Sequence, residues 1–345
     1  MLCAFSACPQ NDGAIQINDV DLGAAFLPQN DDPSFTGTGT AKSNASLSPN
    51  SLRFYRGYGR IGMRGLQGWQ TSHQLILSLN RRFRHGVSFG FSDTISLYDH
   101  RSTAARIEHD ANGWKYRSDQ ALADELLGTY IPNAIQIVKA NFVWALPHLS
   151  SGQPALRALG QVVNDWQLAG VLTADTGAAY DAAFQYASGG ANVEITGSPD
   201  FAPRIRLVGD PGSGCSSDPL KQFNTAAFQG PNIGSTGLDS AGGVLRRCGK
   251  AIMDMAISRT IRLGRARSFQ FRVDIFNILN TAAITAVNTT AQFASPTANT
   301  VVSNLPYDAN GNVIPSFSTP RSAGFGVANG YTPPRSIQIQ ARFAF

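Results

Sequence analysis

In the stretch Arg335-Ser-Ile-Gln-Ile-Gln-Ala-Arg-Phe-Ala-Phe345, apolar side chains fall on Ile337, Ile339, Ala341, Phe343 and Phe345, and mostly polar ones fall between them. A period of two sends alternate side chains to opposite faces of a strand. The same period recurs through the chain. Leu75, Leu77 and Leu79 alternate with Gln74, Ile76, Ser78 and Asn80; after a short turn at Arg84–Gly86, Val87, Phe89 and Phe91 alternate with Ser88, Gly90 and Ser92. Val138, Ala140, Phe142, Trp144 and Leu146 oppose Lys139, Asn141 and Val143, and Trp166, Leu168, Gly170 and Leu172 alternate with Gln167, Ala169, Val171 and Thr173. A second hairpin sets Met253, Met255, Ile257 and Ile261 against Asp254, Ser258 and Arg262, then Phe269, Phe271, Val273 and Ile275 against Gln270, Arg272 and Asp274.

The arms of the first hairpin are longer than the ~5–6 residues of a usual globular strand and reach the ~9–11 needed to cross a bilayer at a tilt. Connections alternate in length. Those at 84 to 86 and 264 to 267 are short, while those at 99 to 131, 177 to 249 and 281 to 334 are long. Short turns on one side and long loops on the other are expected of a transmembrane β-barrel. The pattern therefore predicts an all-β, antiparallel transmembrane barrel, with about eight strands of a larger barrel visible. Residues 1–58 lack periodicity and read as an irregular segment, an outer loop; 59–345 carry the strands. Leu75, Leu77, Leu79, Phe89, Phe91, Phe142, Trp144, Trp166, Phe269, Phe271, Ile337 and Ile339 are expected to face lipid. Arg272, Asp274, Gln338, Gln340 and Arg342 are expected to face a wet lumen. A soluble or secreted β-sandwich, acting as a binding or adhesion module, shares this alternation and stays open as the alternative.

Composition favours the membrane reading. Hydrophobic residues make up 43% of 345 and charged residues only 15%, against roughly 25% charged in ordinary soluble domains. No apolar run approaches the ~20 residues of a membrane helix, so strands must do any crossing. The net charge of +5 comes from scattered arginines, which does not suit a nucleic-acid partner. Nothing reads as an enzyme: there is no nucleophile elbow, HExxH or P-loop, the five histidines are dispersed, and no cofactor or metal is expected. The glycines at 57, 59 and 62 match GxGxxG without a buried strand before them or a helix after. Asp110–Gly113 and Asp308–Gly311 read as Asn-Gly turns, since both lack the ligand set of a calcium loop. Between them in the chain, Ser118–Leu127 has room for a short helix. Cys215 and Cys248 sit in a Gly-rich polar segment where a disulfide would stabilise by ~3–4 kcal/mol in the chain-entropy model; two free thiols are the other reading, because spacing alone does not establish a bridge. Cys3 and Cys8 are too isolated to read. The opening Met1–Pro9 lacks the basic region of a signal peptide, so the chain is expected to be a fragment, or a frame begun inside a longer protein.

Taken in order, Phe26-Leu-Pro-Gln-Asn30, Tyr55-Arg-Gly-Tyr-Gly59, His73-Gln-Leu-Ile-Leu-Ser-Leu-Asn-Arg-Arg-Phe83 with His85–Gly90, Asn141-Phe-Val-Trp-Ala-Leu-Pro147, Trp166–Gly170, Phe223-Asn-Thr-Ala-Ala-Phe228, Phe269–Asn280 and the terminal strand span almost the whole sequence. This series resembles the carboxy-terminal barrel region of Oar-like TonB-dependent outer-membrane receptors. The resemblance implies a 22-stranded barrel in the outer membrane of a Gram-negative cell. It also implies an amino-terminal plug that draws on the TonB machinery to move a substrate whose identity the sequence does not give. The terminal Phe343 and Phe345 then look like the signal read by barrel-assembly machinery. The sequence departs from the family in showing no plug, no energy-coupling box and no preceding carboxypeptidase-regulatory-like domain. It also lacks the Asp-Arg-Arg-His type of approach to the Asn-Phe strand. It therefore looks like the last third of such a receptor, coupled to TonB only through a plug outside this chain.

Overall fold

The computed structural model describes residues 14–20, 52–64, 70–101, 107–110, 113–116, 135–148, 162–188, 192–200, 202–234, 244–263 and 267–345, with the single residues Gly23, Gln153 and Gly160. The expected short helix near Ser118–Leu127, Cys3, Cys8 and the Phe26–Asn30 motif lie outside them.

Seven long strands form one antiparallel sheet: β1 (Gln70–Arg84), β2 (Val87–Arg101), β3 (Gln136–Ala145), β4 (Trp166–Asp175), β5 (Lys250–Arg262), β6 (Ser268–Phe276) and β7 (Ser336–Ala344). Their order in space is their order in sequence. The count among the described residues is seven, against the eight or so expected. The β1–β2 turn is His85-Gly86, both at positive φ (55° and 78°), as the tight hairpin turn that matches strand twist requires. The connections β2–β3, β4–β5 and β6–β7 leave from one end of the sheet. The shorter β1–β2, β3–β4 and β5–β6 leave from the other. Both edge strands, β1 and β7, run toward the short-turn end and cannot pair antiparallel with each other. Closing an all-antiparallel barrel through these edges takes an odd number of further strands.

β2 runs on to Arg101, past the point where a loop was expected to begin at Asp99, because Ser72, Thr71 and Gln70 stay paired with it. Within the first long connection, Ile107–Asp110 pairs with Gly113–Tyr116 as a small hairpin. In the last one, Asp308 accepts from the N–H groups of Asn310 and Asn312, at 2.9 and 2.8 Å, and Gly311 adopts φ 81°, which makes this segment a tight turn.

The second and third long connections, 177 to 249 and 281 to 334, pack against each other among the described residues. They share a core. Phe223, Phe228 and Phe325 meet edge to face with centroids 5.0–5.7 Å apart, backed by Ile195, Ile205, Leu245, Tyr186 and Phe293. A parallel pairing of Ala183–Tyr186 with Thr290–Phe293 stitches one connection to the other. Residues 246–248 tie this head to the rim of the sheet. Arg246 donates to Gly177 O (2.8 Å) and Arg247 to Thr285 O (2.6 Å), while Cys248 is bonded to Cys215 with Cα atoms 4.9 Å apart.

The described part of 1–58 is not loop throughout. Ala14–Ile17 pairs antiparallel with Ile61–Arg64, and residues flanking this pair dock on the head. Arg53 is buried against Asp200, at 2.7 Å, and Gly23 N donates to Thr196 O. Arg60 meets Asp19 at 2.9 Å, although burial still pushes the Asp19 carboxyl above its ordinary range.

Two predictions concern the head. Gly177 has φ 82°, and a Cβ there would collide with Arg247 O, whereas Gly212, at φ 75°, has open space. Gly212→Ala should lose only the ~1–2 kcal/mol of left-handed alanine, while Gly177→Ala should lose more and speed protease cleavage of the head severalfold. Equal sensitivity of the two variants would show that the close approach of Arg247 O to Gly177 does not constrain this corner. Tyr186 donates to Pro231 O (2.7 Å) and Tyr180 to Gly214 O (2.6 Å). Burial pushes the Tyr186 hydroxyl up to about 12, with Asn299 opposing it, and Tyr180 higher still. A raised folded-state value stabilises fully below the ordinary tyrosine range near 10 and is lost as pH rises through the folded value. Protease resistance of the head should hold to about pH 10 and fall through about 12, with a tyrosinate absorbance step that Tyr186→Phe diminishes. Ionisation of all tyrosines in the ordinary range would contradict it.

Candidate functional site

The strand register decides which side chains share a face, since residues directly opposite in an antiparallel pair point the same way. One row runs Phe89–Phe142–Gly170–Met255–Ile275–Ile337 across six strands, and the next runs Val87–Trp144–Leu168–Ile257–Val273–Ile339. Toward the short-turn end come Trp166–Arg259–Phe271–Ala341 and Ile261–Phe269–Phe343. All twelve residues expected to face lipid therefore lie on one face. None of them is buried; Leu79 is 58% exposed and Ile339 66%. A sandwich would cover this face with a second sheet, and among the described residues no such sheet lies there.

Gly170 is the one gap in the row, and the Phe142 ring fills it: a Cβ on Gly170 would meet ring atoms Cζ at 2.9 Å and Cδ1 at 3.2 Å. At the short-turn end, the Arg259 guanidinium lies 5.8 Å from the Trp166 ring centroid and donates to Asn164 O, while the Trp166 indole N–H donates to Val162 O at 2.9 Å. Amphipathic Trp and Arg at the end of an apolar band suit a membrane interface. Phe343 and Phe345 stack nearby with centroids 6.1 Å apart, and Phe345 is 94% exposed.

The opposite face carries Arg272, Asp274, Gln338, Gln340 and Arg342, with Arg272 beside Gln340 and Asp274 beside Gln338. Arg272 Nε donates to both Asp274 oxygens at 2.8 and 3.0 Å. The neighbours on this face were already at polar positions of the alternation. Ser258, Asp254, Asn141 and Asn80 extend the polar surface across the sheet, and Asp254 accepts from the Asn277 N–H at 2.8 Å. Asn80 and Asn141 lean from either side over Gly90, where a Cβ would come within 3.0 Å of both. Residues from β1 to β6 on this face, with Val143, Ala169, Val171 and Ala256 beside the polar groups, line a single cavity of about 640 Å³. Because one cavity collects Asn80 from β1 and Asp274 from β6, the sheet is curved around its polar side.

The apolar face contains one polar pair that its alternation hid. Asp93 falls between Phe91 and Ile95 on that face, and both its oxygens accept from Gln136 Nε2, at 3.1 and 2.9 Å. Gln136 is diagonal to Asp93 on the neighbouring strand, and Thr176 caps the same level by accepting from the Ile135 and Gln136 N–H groups. The amide supplies the donors that a hydrocarbon neighbour lacks. The signal for this pair was an acid at an odd position of a strand whose other odd positions are apolar.

The chain matches the family model of the outer membrane beta barrel domain over residues 11–338. No curated protein matches it. A family match over nearly the whole chain agrees with a curved antiparallel sheet that is apolar outside and polar within: the chain belongs to the outer membrane β-barrel domain family, whose place is the outer membrane.

Proposed function

We propose that this chain forms part of the pore wall of a TonB-dependent outer-membrane transporter, with the head built from 177–249 and 281–334 shaping substrate access. The observation that carries the reading is the sorting of side chains by register. The uncovered apolar face suits lipid, and the cavity-lining polar face suits a hydrated path. In this reading TonB couples through a plug domain seated against the polar face, assembly machinery reads Phe343 and Phe345 at the end of β7, and the chain itself performs no catalysis. The resemblance to Oar-like receptors supports the transporter class.

A pair of adjacent substitutions tests the orientation. Ile339 and Gln340 are neighbours on β7, both exposed and on opposite faces. In a lipid bilayer Ile339→Arg should cost ~2–4 kcal/mol near the midplane, while Gln340→Arg should change little, as measured by urea-titrated folding into phospholipid vesicles. Equal costs would sink the orientation. For the transporter class, a strain deleted for this protein and one deleted for TonB should share uptake defects across a panel of iron chelates and oligosaccharides. Defects confined to the first strain would replace energised transport with a passive barrel.

A further inference from the structure

The segment Phe54–Arg60 is exposed along its whole length, and its aromatic side chains point to solvent: Phe54, Tyr55 and Tyr58 are 60%, 43% and 69% exposed. An exposed Gly-containing loop of this kind is ordinarily mobile. This one is held from below. The Asn18 side chain, 1% exposed, donates from Nδ2 to the carbonyls of Tyr55, Tyr58 and Gly59 at 3.0, 3.3 and 2.9 Å, and accepts from the Tyr55 N–H at 2.6 Å. Asn18 itself takes a left-handed conformation, φ 67°, to do so. Beneath it, Arg53 donates to Asn18 O and to both oxygens of Asp200, and Arg60 makes a two-point pair with Asp19. A buried amide and two ion pairs fix a backbone whose rings are left outside.

Charge at the tip has one sign. No acid lies between Phe54 and Arg60, and Arg56 makes no hydrogen bond or ion pair among the described residues. Phe54 and Tyr55 stand edge to face with centroids 4.8 Å apart, and the exposed Tyr55 and Tyr58 rings flank the Arg56 guanidinium in sequence.

We propose that this loop is a recognition tip for an acidic polysaccharide. The Tyr55 and Tyr58 rings stack on the C–H faces of sugar rings, their hydroxyls hydrogen-bond to sugar hydroxyls, and Arg56 takes a uronate carboxylate with two parallel N–H donors. A folded protein partner needs about 800 Å² on each side for a stable interface, and the seven exposed residues Phe54–Arg60 fall short of that. A single sugar unit needs only a ring face and a charge. Holding the loop in advance removes the ordering cost that a mobile loop would pay on binding. This inference does not rest on transport, because the tip binds whether or not anything passes through the barrel.

The test uses the purified full chain in detergent micelles, with polygalacturonate, neutral dextran and poly-glutamate as probes in affinity gel electrophoresis at fixed ionic strength. Polygalacturonate should bind, and dextran and poly-glutamate should bind far less. The double variant Tyr55→Ala, Tyr58→Ala and the single variant Arg56→Ala should each weaken polygalacturonate binding by roughly tenfold. Protease resistance of the head in each variant reports that the fold is kept. The proposal is overturned if polygalacturonate does not bind, or if folded variants bind it like the parent. It is equally overturned if poly-glutamate binds as tightly and ignores the loss of the tyrosines, since the tip would then be a mere charge contact or a site for acidic polypeptide. A strain that transports normally but whose purified protein ignores polygalacturonate would defeat this inference and leave the transporter reading intact.

Discussion

A backbone N–H or C=O inside a hydrocarbon layer has no water to turn to, and leaving one unpaired costs several kcal/mol. The sheet obeys that constraint through seven strands paired in sequence order, each interior strand bonded on both sides. Everything else about the membrane-facing part depends on the register of that pairing. With Phe89 opposite Phe142 and Met255 opposite Gly170, a row of apolar groups forms across six strands. A slip of one residue would send such a row to the polar side and bring Arg272 and Asp274 out. Gly170 holds the register locally, because only a residue without a side chain leaves room for the Phe142 ring.

The head is a different kind of structure resting on the same strands. It is held by an ordinary buried core around Phe223, Phe228 and Phe325 and by buried side-chain hydrogen bonds such as Tyr186 to Pro231 O. Its link to the barrel passes through a few residues at the rim. Gly177, Arg246, Arg247 and the Cys215–Cys248 bridge lie together where β4 ends and β5 begins. The bridge ties an arm of the head to residues just before β5, so the head cannot swing away from the rim without unfolding this corner.

The N-terminal segment docks on that head. Ion pairs Arg53–Asp200 and Arg60–Asp19 join residues far apart in sequence. Such pairs are weak sources of net stability, but their loss on one side leaves a buried charge without its counterpart. They fix the seat of the segment and, through Asn18, the shape of the exposed loop above it.

The alternation along the chain was enough, by itself, to determine that there are long two-faced strands, which residues share a face within each strand, and where the tight turns fall. Period two is a local property, so Leu75–Leu79, Phe269–Ile275 and Ile337–Phe343 were legible without partners. Which strand lies beside which, and at what register, is not local. Only the tertiary structure put Asn80, Asn141, Asp254 and Arg272 around one cavity, and only it showed that Asp93 is answered by Gln136 from the next strand. The head was least legible, because its apolar residues come in twos and threes without periodicity and gain burial only when two connections far apart in the chain pack together. Cys215 and Cys248 mark the boundary between the two kinds of knowledge. Sequence named the pair as candidates, but a bond depends on bringing two Cα atoms to within bridging distance, which the fold alone decides.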